Sequence, residues 1–269
     1  MDLINLAIAM ALTGAVGGLI AGLLGVGGGI VIVPVLEIVL GMIDVDPSVR
    51  MHIAVGTSLA VIVPTSISSA RAHHMRGAVS MRLVRFWSPW IVAGTIAGAL
   101  IAGEVTSQAL YVVFGVVALV VAIKMILPLD DKVIADDVPH GPVGLMVPTF
   151  IGAISAMMGI GGGSMSVPVM TLCNQHIHRA VGTSALFGAF IAVPGTLGFI
   201  YTGWGNALLP PASLGFVNLA GFLLIIPTSI ACAPLGARLA HSMPRRALSL
   251  LFGLFLFIVA IRMGIRAWA

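Results

Sequence analysis

The sequence predicts an all-α polytopic membrane protein of about eight transmembrane segments, arranged as two internal repeats. Three observations carry this. Of 269 residues, 59% are apolar and 8% charged, with a mean hydropathy of +1.14, whereas a soluble domain is roughly a quarter charged. Apolar runs of membrane-crossing length recur along the whole chain. Finally, the segment AGLLGVGGGIVIVPVL (Ala21 to Leu36) returns as SAMMGIGGGSMSVPVM (Ser155 to Met170), 134 residues further on.

A bilayer core about 30 Å thick takes about 20 helical residues per crossing. Runs near that length cover 3–23, 53–70, 84–103, 107–128, 141–158, 179–200, 213–237 and 247–265. The first could imitate a signal peptide, but its first charge is Asp2 and no Lys or Arg precedes Arg50, so the basic start of such a peptide is missing. It reads as a retained membrane segment. So little chain remains outside these runs that a soluble catalytic or nucleic-acid-binding domain is excluded. The net charge of +4 fits basic cytoplasmic loops better than a nucleic-acid footprint. Cys173 and Cys232 form no spaced motif.

The repeat extends well beyond the glycines. HIAVGTS (His52 to Ser58) returns as HRAVGTS (His178 to Ser184), and GAVS (Gly77 to Ser80) corresponds to GFVN (Gly215 to Asn218). VAIKM (Val121 to Met125) falls on VAIRM (Val259 to Met263). The units are residues 1–128 and 141–269, with a linker at 129–140 that is rich in Asp and contains Pro. Repeats of this kind build many secondary transporters; duplication for packing alone is the competing explanation.

Charge sets the orientation. The Arg71 to Arg85 stretch carries four arginines and two histidines, so it is expected in the cytoplasm. Its counterpart, Tyr201 to Leu214, has no charge and is expected outside, while Arg238, Arg245 and Arg246 return the next connection to the cytoplasm. The repeats then read as inverted. Inversion needs an odd number of full crossings per repeat, which follows if the first segment of each is broken at its glycine motif. Eight plain crossings in parallel repeats are the alternative.

Gly27, Gly28 and Gly29, with Gly161, Gly162 and Gly163, permit backbone angles closed to other residues. Pro34 and Pro168 lack the N–H that an uninterrupted helix uses. With Gly25 and Gly159, these residues predict interrupted helix at membrane depth, where freed amides can seat an anion. Close helix packing is the competing reading. Thr57, Ser58, Thr183 and Ser184 follow a glycine in each half and offer hydroxyls to an oxyanion, or to their own helix carbonyls. Ser164 lies just past the second triplet, where the first half has Ile30.

Glu37 is a carboxylate inside an apolar run; it could carry a coupling proton, or lie at the outer end of a hairpin and reach water. His52 and His178 share one repeat position and are the other candidates for a proton relay. The histidines have no metal spacing, no cofactor is expected, and motifs of hydrolases are missing from the chain. Dimerisation through a flat helical face is compatible with the sequence, which selects no surface for it.

The twin GxGGG…P segments, each followed by AVGTS, together with HHMRGAV (His73 to Val79), resemble the sulfite exporter TauE/SafE family of membrane permeases. The resemblance runs from about Leu6 to Met263. It implies a multi-pass carrier of the cytoplasmic membrane that moves small anions, often sulfite or organosulfonates. Its motifs fall on Gly25, Gly27, Gly28, Gly29, Pro34, Gly56, Thr57 and Ser58, and again on Gly159, Gly161, Gly162, Gly163, Pro168, Gly182, Thr183 and Ser184. A passive anion channel, or a carrier of small carboxylates, remains open at this point.

Overall fold

The computed structural model describes residues 3–24, 28–127, 135, 137–138, 141–242 and 244–268. Helices α1 (Leu3–Leu24), α2 (Gly29–Met42), α3 (Pro47–Met75), α4 (Met81–Glu104) and α5 (Ser107–Ile126) form the first half. Helices α6 (Gly141–Met158), α7 (Gly163–Leu172), α8 (Ile177–Thr202), α9 (Leu219–Ser242) and α10 (Arg245–Trp268) form the second. Among the described residues, six helices are long and apolar enough to cross a membrane: α3, α4, α5, α6, α8 and the Leu250–Trp268 part of α10. The protein is thus an all-α polytopic membrane protein. Among the described residues the one departure is a small antiparallel hairpin, β1 (Ser213–Leu214) and β2 (Val217–Asn218). The apolar run expected over 213–237 therefore becomes helical only at Leu219, because Gly215 turns the chain with a positive φ of 55°.

Local signals fix several helix starts. Pro47 opens α3 behind the Asp46 cap, whose carboxylate accepts the Ser48 amide at 2.8 Å and the Ser48 hydroxyl at 2.5 Å. Those two bonds hold the Asp46 carboxyl below its ordinary value. Thr106 opens α5 by accepting the Ala109 amide at 3.3 Å.

The packing has internal symmetry. α1 lies along α9, as α6 lies along α4, and α3·α8 and α5·α10 pair across the centre. Gly14 faces Ile225 and Gly18 faces Ser229, while Gly94 faces Thr149 and Gly98 faces Ala153. Both contacts advance in the same chain direction, so each pair is parallel. At each of these glycines a Cβ would run into the partner's backbone, the close approach that small residues allow between membrane helices.

α3 and α8 are antiparallel. Near its start, α3 meets the β-hairpin and the end of α8, through Gly56 against Phe216 and Phe199; near its own start, α8 meets the connection after α3, through Gly182 against Ala78. The centre is filled by fully buried Trp87, Phe114, Phe187 and Phe199. Val116 and Val120 on α5, and Leu254, Ile258 and Ile261 on α10, are exposed, as befits side chains whose solvent is lipid.

Candidate substrate site between two helix interruptions

The two glycine segments meet inside the protein. α1 ends at Leu24 and α2 begins at Gly29; α6 ends at Met158 and α7 begins at Gly163. Gly28 and Gly159 hold φ of +74° and +67°, a left-handed conformation that favours glycine. A Cβ on Gly29 would lie 2.7 Å from Ile62 Cδ1 and 3.1 Å from Ile160 Cα, and would strike the Gly159 carbonyl. Gly159 packs on Val33 and Val55, and Gly162 on Phe187 and Ile191. Val33 belongs to α2, Val55 to the first half of α3, and Phe187 and Ile191 to the middle of α8. Pro34 and Pro168 lie within α2 and α7, so the chain is already helical at both prolines. Gly25 and Gly27 lie outside the described residues.

At both interruptions, amides lack an acceptor among the described residues. Val31 and Ile32 both return their N–H to the Gly28 carbonyl at 3.0 Å, and Ser166 returns its own to Gly162 at 2.8 Å. The amides of Gly29, Ile30, Gly161, Gly162, Gly163 and Ser164 have no acceptor among the described residues, as expected where a helix starts. The helix dipole makes such a place attractive to negative charge. Ser166 adds a fully buried hydroxyl with no partner among the described residues. Ser164 donates only a long 3.4 Å bond to the Gly161 carbonyl.

The four hydroxyls after the repeat glycines divide into two kinds. Thr57 Oγ1 accepts the backbone N–H of Asn218 at 2.9 Å, and Thr183 Oγ1 accepts that of Ser80 at 3.0 Å. Since Ser80 and Asn218 are repeat counterparts, each half docks its AVGTS segment onto the connection of the other. Ser58 Oγ donates to the Gly159 carbonyl at 2.7 Å and so ties α3 to the second interruption, whereas Ser184 Oγ donates to its own helix at Val181, 2.9 Å. Sequence reasoning missed Asn218 and Ser80 as partners, although the GAVS and GFVN match had marked both positions.

Glu37 does not reach water. It is fully buried, with Arg262 Nη2 2.8 Å from Oε2, Arg266 Nε 3.8 Å from Oε1, and the Tyr111 hydroxyl donating to Oε1 at 3.1 Å. Arg262 also donates to the Pro34 carbonyl at 3.4 Å, so α10 grips α2 through a basic residue that neither apolar hairpin contains. The aligned VAIKM and VAIRM segments had marked Arg262 as a repeat position without revealing its partner. His52 and His178 part company: His52 is buried and bonded through both ring nitrogens, while His178 is exposed.

At the Ser80 end a cavity of about 400 Å³ is lined by Ser80, Arg82, Gln175, Arg179 and Asp137 among others. Neither arginine has an ion-pair partner among the described residues. Those residues also contain no group of three His, Cys, Asp or Glu side chains placed to hold a metal ion.

Comparison with known proteins identifies the family. The sequence profile of the Sulfite exporter TauE/SafE family matches residues 10–263. A "Probable membrane transporter protein" of Haemophilus influenzae is 37% identical over 95% of this chain and 97% of its own length. The "Probable membrane transporter protein YunE" of Bacillus subtilis is 25% identical over 91% of this chain and 93% of its own. A "Probable membrane transporter protein" of Xylella fastidiosa is 28% identical over 96% and 94%. No solved structure matches the chain significantly. With its family profile aligned along nearly its whole length and its packed helices pairing two halves, the chain belongs to the sulfite exporter TauE/SafE family, a family of membrane transporters and not of enzymes.

Proposed function

We propose that this transporter is a secondary carrier of small anions of the sulfite or organosulfonate type, working by alternating access around the two helix interruptions. The observation that carries the reading is the contact of Gly29 with Gly159 and Ile160. It brings two helix starts, whose first amides have no acceptor among the described residues, into one part of the interior, with no Lys or Arg in α2 or α7. Backbone donors attract an oxyanion without the grip of a fixed cation, which suits a carrier that must release its cargo.

The substrate contacts in this reading are the amides of Gly27 to Gly29 and Gly161 to Gly163, with the hydroxyls of Ser58, Ser164 and Ser184. Thr57 and Thr183 take part as well, because each accepts an amide and keeps its own proton to donate. Arg82 and Arg179, in the cavity at the Ser80 end, would draw anions toward one mouth. The repeats, 1–128 and 141–269, are inverted in this reading, and two features support it: the antiparallel α3 and α8, and the placement of the arginine-rich connection at the end opposite Tyr201 to Leu214. Coupling to a proton would use an ionisable group among Glu37, His52 and His178, of which the first two are buried.

The test is uptake into proteoliposomes from a panel of anions and cations under imposed pH and voltage gradients. Saturable uptake of sulfite or a sulfonate that responds to the pH gradient is the expected result. Saturation by a cation alone, or a flux that never saturates and ignores both gradients, overturns the proposal.

A further inference from the structure

Among the described residues, the hydrogen-bond and ring contacts of His52 are all with groups that can accept positive charge. The residue is only 4% exposed. Nε2 lies 3.0 Å from the Ala102 carbonyl and 3.1 Å from the Val105 carbonyl; carbonyls only accept, so Nε2 carries a proton. Nδ1 lies 3.2 Å from Ser107 Oγ. That hydroxyl has a single hydrogen, and at 2.6 Å it is committed to the Ser48 carbonyl. What remains on the Ser107 oxygen toward Nδ1 is a lone pair, which calls for a proton on Nδ1 as well. Phe216 stacks on the ring with centroids 4.8 Å apart, within the range in which an aromatic face stabilises a cation.

Among the described residues, no formal charge opposes the ring at contact distance. On its own element, the Asp46 carboxylate is engaged by Ser48 and the Arg50 guanidinium by the Val45 carbonyl. On the α4–α5 turn, Glu104 is exposed and opens with Tyr201 of α8 onto a separate surface hollow. On α5, Tyr111 is bonded to Glu37. From the second half the ring meets Phe216, which is uncharged. Burial by itself disfavours the charged ring; two carbonyls, a hydroxyl oxygen and an aromatic face work against that penalty.

The location gives the proton a task. His52 and Ser48 belong to α3, Ala102 to Ser107 to the α4–α5 turn, and Phe216 to the hairpin of the other half, so one ring joins three pieces at one end of the molecule. The second half cannot build the same junction: at the position of Phe216 stands Ala78, at that of Ser107 stands Arg245, and His178 is exposed.

We propose that His52 is a proton-binding site, doubly protonated while this junction is closed, and that loss of one proton loosens the junction and so couples a proton to the transport cycle. The coupling half of this proposal rests on the carrier reading; the proton-binding half does not.

The decisive measurement is nitrogen NMR of ¹⁵N-histidine-labelled full-length protein in lipid nanodiscs, with His52 identified by the signal missing in His52→Gln. Over about pH 4–8, which brackets the ordinary titration range of histidine, both ring nitrogens should read as protonated at the acid end, and one should lose its proton on raising the pH. A single neutral tautomer throughout that range overturns the proton site. Should His52→Gln fail to fold, Ser107→Ala serves: the second proton should leave at lower pH than in the wild type, and an unchanged midpoint overturns the assignment. In proteoliposomes, His52→Gln should lose the dependence of sulfite uptake on the pH gradient; retention of that dependence overturns the coupling role. If the wild type carries no anion, the carrier reading and the coupling role fall together, and NMR still decides the proton site.

Discussion

The Thr57 hydroxyl accepts the backbone N–H of Asn218 at 2.9 Å, and the Thr183 hydroxyl accepts that of Ser80 at 3.0 Å, so the two halves hold each other by one bond given in each direction. Both threonines are fully buried. Thr57→Val leaves the Asn218 amide buried and unpaired, and should cost about 1–3 kcal/mol of stability. Thr57→Ser keeps the acceptor and should cost less. Thermal unfolding in detergent compares the two; equal melting temperatures for Thr57→Val and the wild type would show that this bond contributes nothing.

At the helix interruptions the available space separates the glycines. Gly29→Val should insert badly or lose transport, since its Cβ strikes the backbone of Gly159 and overpacking of this kind costs about 1–3 kcal/mol or more. At Gly162 the nearest atoms, Phe187 Cβ, Ile191 Cδ1 and the Gly188 nitrogen, lie 3.0–3.3 Å from a Cβ, tight but short of the clash at Gly29. Gly162→Ala should therefore retain part of its uptake, while Gly162→Val loses it. Normal uptake by a correctly inserted Gly29→Val would show that the close approach has no part in transport.

Glu37 should be the costliest single carboxylate to remove. Glu37→Gln leaves Arg262 and Arg266 without their counter-ion, and breaking a buried pair from one side typically costs about 3–5 kcal/mol. Here the arginine side chains are 30% and 44% exposed, which places the expected loss at about 2–3 kcal/mol. Arg262→Ala should cost less, because Tyr111 and Arg266 still face the carboxylate. A double-mutant cycle of Glu37→Gln and Arg262→Ala, read by thermal melts, should give a coupling of about 1–3 kcal/mol; strictly additive effects would mean the pair holds nothing together.

Topology is open to direct labelling. Single cysteines introduced at Arg76 and Trp204, in a background lacking Cys173 and Cys232, should react with impermeant reagents from opposite sides of sealed vesicles. Arg76 should be reached from the cytoplasmic side. Reaction of both positions from one side would rule out inverted repeats.

Membrane residence, the internal likeness of the two halves and the special backbone needs of Gly28 and Gly159 were legible in the sequence. The reason is that each rests on local chemistry: apolar runs long enough to cross a bilayer, motifs copied 126 to 138 residues apart, and glycine, the residue most at ease with the φ of +74° at Gly28 and +67° at Gly159. What only the tertiary structure decided is which groups meet across the repeat. Nothing near Thr57 in the chain announces Asn218, 161 residues away, and nothing near Glu37 announces Arg262, which helix packing brings to 2.8 Å. The same packing separates two histidines that the sequence made equivalent. His52 lies under Phe216, and His178 has only Ala78 at the matching place, so one ring is enclosed by acceptors and the other is left in the open. A repeat fixes which residues correspond, but the environment of each is set by neighbours drawn from the other half, where the two copies have diverged.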